Sequence, residues 1–219
     1  QVDRTHPGPQ RLGHARPRAE AANRAVKAEG GWGVICTQEV EIHPSAELTP
    51  FVEGRIWDER DIPQHRLMTD AVHEHGALAG IELAYNASHV SNLFSRIAPL
   101  APSAMPVHGI NPINARAMDK RDIANLRRWH VDAARRAKQA GYDIVYVYVG
   151  HDMSLLQHFI SPRYNRRSDE YGGSLENRAR LLLEIIGAVR ERVGRDFPVW
   201  VKLDAGEYGK TEGITLADA

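Results

Sequence analysis

Tyr148 and His151 stand at the end of DIVYVYV, a strongly strand-like apolar run. If that end faces a pocket, both side chains can point at one ligand. A histidine near pKa 6.5 exchanges protons at neutral pH, and a tyrosine near 10 donates a proton or, when perturbed, accepts one. The competing reading is a strand-end tyrosine and a loop histidine in structural hydrogen bonds. Glu82 interrupts the apolar run GIEL, and Lys202 interrupts VWVKL. A carboxylate in such a run needs a partner, because an unpaired buried charge is costly. A ligand N–H or a neighbouring Lys or Arg can supply it. Lys202 can bring positive charge to an anionic cofactor or pair internally with Glu82 or Asp204. Gly172-Gly173-Ser174 precedes a helical pattern, where exposed N–H groups can cradle a phosphate; a turn with a serine N-cap is the simpler account. His73 and His75 do not share a helix face, and no histidines show zinc-ligand spacing such as HExxH.

Alternating elements must hold these residues. Apolar positions at helical spacing predict helices over 19–30, 61–75, 122–140 and 175–193. Asp119 and Ser174 are candidate caps, and Gly30-Gly31, Gly76 and Gly141 are candidate stops. Short apolar runs predict strands over 32–37, 77–84, 143–149 and 199–203, and Thr215 opens a further helix. The stretch from 85 to about 118 reads as irregular. Such alternation implies an α/β fold with a parallel sheet and helical crossovers. Four strands make about half of a (β/α)8 barrel, but an open doubly wound sheet gives the same pattern. In a barrel, chemistry sits at the C-terminal ends of the strands. Those ends are 37–39, 82–86, 148–151 and 202–204.

Composition narrows the partners. The 219 residues suffice for a sizeable core but fall short of the roughly 250 of a typical complete barrel. Equal numbers of acidic and basic side chains, 28 each, argue against a nucleic-acid partner and an anionic membrane surface. No apolar run approaches the roughly 20 residues of a membrane span. Residues 1–18 are polar, basic and proline-rich, unlike a secretory signal. One cysteine, Cys36, allows no internal disulfide or cysteine-ligated cluster and suits a cytoplasmic setting.

The segment 157–178, QHFISPRYNRRSDEYGGSLENR, closely resembles the signature of the old yellow enzyme superfamily, FLSPxxNxRxDxYGGSLENR. The resemblance runs from about Arg24 to the C-terminus. Within it VKAEGGWG, RIWDE, HEHGALAGIEL, AGYDIVYVYVGHD and VKLD look like the trimethylamine, dimethylamine and histamine dehydrogenase branch. It implies an FMN-binding (β/α)8 TIM barrel, of which residues 1–219 would supply about strands 2 to 5. Residues 1–18 form a divergent segment, and the other half of the barrel would follow residue 219. By resemblance, Glu82 meets the flavin pyrimidine edge. Lys202 takes a position usually held by Arg near flavin N1 and O2, and Tyr148 lies beside the flavin. Tyr148 and His151 match the pair that binds and deprotonates the amine, helped by an Asp from a later strand. Glu39, at a position where trimethylamine-type enzymes place an aromatic residue, and Tyr85 are the expected substrate-facing residues. A carboxylate at 39 points to a more polar or cationic amine. Residues 1–17 lack the cysteine that can bind flavin covalently in this branch. The cysteines for a 4Fe-4S cluster in full-length relatives would follow residue 219.

The resemblance thus implies oxidation of a small amine at its C–N bond, with electrons passing to an acceptor. One alternative is an NAD(P)H-dependent ene reductase acting on enones. Those enzymes commonly carry a proton-donating tyrosine where this chain has Met153, which favours the amine. A second alternative is an inactive fragment without flavin, whose unpaired strand edges would invite association into a homo-oligomer.

Overall fold

Each long strand of the main sheet is laid down beside the long strand before it, so these strands wind in a single direction. The computed structural model of the protein describes residues 17–46, 54–86, 95–107, 113–209 and 212–219. Helix α1 (Pro17–Glu29) turns through Gly31 into β1 (Val34–Glu41). Strand β2 (Gly54–Arg55) and a 3-10 turn lead into α2 (Ile62–His73) and β3 (Leu78–Ala84). Then come β4 (Leu100–Ala101), β5 (Met105–Pro106), β6 (Asn114–Ala117), α3 (Lys120–Gln139) and β7 (Ile144–Val149). Helices α4 (Leu155–Ile160) and α5 (Leu175–Val193) precede β8 (Val199–Leu203).

The five-stranded sheet has the order β2-β1-β3-β7-β8, and every pair is parallel. From β1 onward the long strands follow chain order with no reversal. A doubly wound sheet needs a reversal, and a (β/α) barrel does not. The choice that periodicity left open is therefore settled for the barrel type of winding. Helix α1 packs on α2, α2 on α3, and α3 on α5.

Side chains alternate across a strand, and here the alternation separates two chemistries. Ile35, Ala79, Ile81, Leu83, Val145 and Val147 face the helices and join the main apolar core. The other face carries Cys36, Glu82, Tyr146, Tyr148, Trp200 and Lys202, matched across the strands by register. Gly80 leaves room there, since a Cβ would come within 2.7 Å of Cys36 Sγ. Strands β2 and β8 are the two edges of this sheet among the described residues, and Trp200 on β8 is 49% exposed.

Both predicted helix caps form. Asp119 accepts from Asp122 N at 2.8 Å and Asp122 returns the bond, closing a capping box. Ser174 caps α5, so the 172–174 segment is the turn and cap of the simpler account. Several sequence expectations need correction. Strand β1 continues past 37 to Glu41, through a register shift between Cys36 and Glu39. The segment from 85 to 118 is not wholly irregular, because β4, β6 and β5 form a small second sheet. Thr215 opens only a turn, in which its N–H and hydroxyl both donate to Asp218. Residues 1–16 lie outside the described residues. No helix among the described residues is long and apolar enough to cross a membrane.

Helix α3 buries His130, whose Nδ1 bonds Leu126 O at 2.9 Å. Burial pushes this imidazole down to about 4. The fold therefore holds the neutral ring, whereas the unfolded chain takes up a proton near 6.5. Stability from His130 is present above about 6.5 and is lost as pH falls toward 4. The shift corresponds to about 3 kcal/mol. Urea unfolding between pH 7 and 4 should show that loss, and His130→Gln should remove about this much of the pH dependence. Parallel pH curves for the two proteins would contradict it.

Candidate active site

A charged residue inside an apolar strand is held by whatever its register brings opposite. Glu82 lies on β3 across from Tyr146 of β7, while Lys202 of β8 lies across from Tyr148. Tyr146 donates its hydroxyl proton to Glu82 Oε2 at 2.8 Å, and Lys202 Nζ donates to Oε1 at 3.1 Å. The Glu82 side chain is only 4% exposed, whereas that of Lys202 is 42% exposed. The pair is thus a buried carboxylate closed from one side by a half-open ammonium. The Lys202 ammonium also sits 5.2 Å from the Tyr148 ring centre.

Tyr148 Oη and His151 Nδ1 are 2.8 Å apart. Burial raises the Tyr148 hydroxyl far above 10, and the negative charges of Glu39, Glu82 and Asp204 raise it further. Burial and Glu82 do the same to Tyr146. Both are neutral phenols at physiological pH, and each is a donor rather than a base. Glu39 reaches this face through the irregularity in β1. It accepts from Asn86 Nδ2 at 2.6 Å and provides an acceptor for Tyr148.

The loop that carries His151 is held in an unusual backbone shape. His151 and Asp152 have φ of +61° and +57°. Non-glycine residues in this region cost about 1–3 kcal/mol each and persist where surrounding contacts fix them. Here Gln157 Oε1 accepts from Asp152 N at 2.7 Å, and Ser154 Oγ donates to Tyr148 O at 2.7 Å. Tyr164 donates to the Asp152 carboxylate at 3.0 Å.

The structure brings Glu39, Glu82, Tyr148, His151 and Lys202 to one end of one face. It does not bring Tyr85 there. Tyr85 is buried on the helix side, its ring stacked on Trp129 and its hydroxyl 2.7 Å from Ser45 Oγ. It shares the parity of Ile81 and Leu83, one step out of phase with Glu82. The described contacts of Tyr85 are packing contacts, whereas the resemblance implied a substrate-facing residue. Tyr146 was missed, although it shares a face with Tyr148 in YVYV and the same alternation points to it. His73 pairs with Asp143 at 2.7 Å, and the described residues hold no cluster of metal-ligand type.

The sequence profile of the NADH:flavin oxidoreductase / NADH oxidase family matches residues 11–219. The match reaches into the segment read as divergent, beyond the start expected near Arg24. The chain is 37% identical over 209 residues to dimethylamine dehydrogenase of Hyphomicrobium sp. (strain x), covering 92% of this chain and 28% of that protein. Its fold superimposes on histamine dehydrogenase from Rhizobium sp. 4-9 with a TM-score of 0.88 and 46% identity, over 92% of this chain and 30% of that one. The old yellow enzyme homologue from Zymomonas mobilis gives 0.76 and 31%, over 87% and 54%. The chain thus spans under a third of these amine dehydrogenases and about half of the old yellow enzyme homologue, as a partial (β/α)8 barrel.

The Glu82–Lys202 pair makes a stability prediction. Lys202→Met leaves the Glu82 carboxylate buried with only neutral donors. Because Lys202 is partly exposed, the expected loss is about 1–2 kcal/mol, below that of a fully buried pair. Adding Glu82→Gln should recover more than half of it in urea unfolding. An additive double variant would count against the pairing.

Proposed function

The chain belongs to the NADH:flavin oxidoreductase / NADH oxidase family, and on that premise we propose that its parent enzyme is an FMN-dependent oxidoreductase that oxidises a C–N bond of a small amine. The observation that carries this reading is the Tyr148–His151 pair, 2.8 Å apart, beside Glu82 and Lys202 on the same face. The likeness to dimethylamine and histamine dehydrogenases supports it.

The residues present fit a flavin. A flavin pyrimidine edge offers an N–H flanked by carbonyl oxygens. Glu82 supplies an acceptor and Lys202 a donor, already side by side, and the exposed flank of Lys202 leaves that donor accessible. Glu82, Lys202 and Tyr148 would hold the group. Lysine keeps the positive charge usual at its position while giving up the arginine fork. When bound, the flavin supplies the two-electron acceptor for the oxidation.

The chain's own side chains select and orient the amine. A neutral phenol can donate its proton to the lone pair of a neutral amine, whereas an ammonium has no lone pair to receive it. Tyr148, held protonated by burial and its carboxylate neighbours, therefore favours the neutral, oxidisable form. His151 holds the Tyr148 hydroxyl and exchanges the proton that the amine gives up. Glu39 adds negative charge on the same face and suits an amine with a further polar or cationic group. Positioning supplies much of the rate. The resulting iminium is hydrolysed by water, and the electrons pass on to an acceptor. A cytoplasmic setting suits the single cysteine.

Two other readings remain as alternatives. The old yellow enzyme likeness favours an NAD(P)H-dependent ene reductase, against which stands Met153, a side chain with no proton to donate. The second is an inactive form without flavin, which failure of the chain to retain FMN would mark. The test is anaerobic. FMN-loaded protein should bleach with small amines and not with NADPH, and Tyr148→Phe should slow bleaching at least tenfold. Bleaching by NADPH followed by reoxidation with an enone would overturn the proposal.

A further inference from the structure

The acidic side chain just after β8 lends only its charge to the chemistry above, yet it makes direct contact with the loop on which that chemistry depends. Asp204 Oδ2 accepts from the backbone N–H of His151 at 2.7 Å and from Gln157 Nε2 at 3.2 Å. Gln157 is fully buried, and its Oε1 accepts from the next backbone N–H, that of Asp152, at 2.7 Å. Two consecutive N–H groups are thus gripped by two side chains that also bond each other. These are two non-glycine residues with φ near +60°. Asp204 is itself fixed to β7, since its N–H donates to Val149 O at 3.1 Å. Its carboxylate lies close over Gly150, where a Cβ would come within 2.8 Å of Oδ1.

We propose that Asp204 is a positioning residue which, with Gln157, holds the Gly150–Asp152 loop in its left-handed form and so aims the His151 ring at the Tyr148 hydroxyl. The inference rests on the reading of Tyr148 and His151 as the amine-binding pair. Asp204 contacts the main chain and not the ring, so it neither gives nor takes a proton in the reaction. Consecutive N–H groups in such turns form a concave anion site. Here the His151 N–H meets the protein's own anion and the Asp152 N–H meets the Gln157 amide, and the charge-assisted bond is the stronger of the two kinds. The arrangement also explains the residue at 150. Glycine lets the carboxylate approach, and any side chain there would push it away. Because Lys202 lies two residues before Asp204 on the same strand, β8 places both the cation beside Glu82 and the clamp on His151.

The test compares Asp204→Ala, Asp204→Asn and Gly150→Ala by NMR on the full chain, without flavin or amine. Its result is therefore separate from the fate of the amine reading. In the parent protein the His151 amide proton should resonate downfield and exchange slowly, and the Tyr148 and His151 rings should show mutual NOEs. Asp204→Ala and Gly150→Ala should lose those NOEs and speed His151 amide exchange at least tenfold. Asp204→Asn keeps an oxygen acceptor and should restore the NOEs. A folded Asp204→Ala or Gly150→Ala protein with the parental NOEs would overturn the proposal. So would an Asp204→Asn protein that behaves like Asp204→Ala. If Asp204→Ala and Gly150→Ala both fail to fold, Asp204 holds the fold rather than the ring, and the proposal also fails.

Discussion

A single carboxylate buried in an apolar strand organises the open face of this sheet. A carboxylate buried at 82, in the run with Gly80, Ile81 and Leu83, is costly unless partners reach it. They come from both following long strands. Tyr146 arrives from β7, and Lys202 arrives from β8, 120 residues along the chain from Glu82. The winding makes this meeting possible, because strands laid down in order bring same-parity residues into register. The helix-facing side of the same strands is free to be wholly apolar. One alternation thus yields a packed core on one face and a polar surface on the other.

The family signature contributes to this surface indirectly. Asn165 donates from Nδ2 to both Phe159 O and Tyr171 O. Arg167 donates to Pro102 O and Met118 O, tying the signature loop to the small second sheet region. Only glycine fits at 172, because a Cβ there would stand 2.1 Å from Arg167 O. Ser161 donates to Glu207, which also accepts from Ile214 N, fastening the segment after β8. The motif that most strongly identifies the family is therefore a set of staples. They fix α4, and α4 carries Gln157 to the His151 loop.

Much of this was legible in the sequence because period and parity are written there. The four long strands and four long helices follow from apolar spacing, and both capping residues follow from their chemistry. The short pieces were not legible. Strands β2, β4 and β5 have two residues each, too few for any period to show. The extension of β1 passes through a register break stabilised by a side chain, with Thr37 Oγ1 accepting from Glu82 N at 2.9 Å. No pattern of apolar residues announces such a break. At the site, Glu82, Lys202, Tyr148 and His151 stood out as chemistry at strand ends. Tyr85 has the parity of Ile81 and Leu83, which places its ring on the helix side against Trp129. The clamp by Asp204 was hidden because it depends on positive φ at His151 and Asp152, which the residue types permit but do not announce.

Flavin recognition by this face, centred on Glu82 and Lys202, is the proposal on which the proposed function rests. Its most direct test is a fluorescence titration of FMN with the purified chain and with Glu82→Gln and Lys202→Met. Saturable quenching by the parent chain is expected, with affinity at least tenfold weaker in each variant, as follows when a charge-assisted hydrogen bond is removed. No quenching by a folded parent chain, or equal affinity in all three proteins, would contradict it.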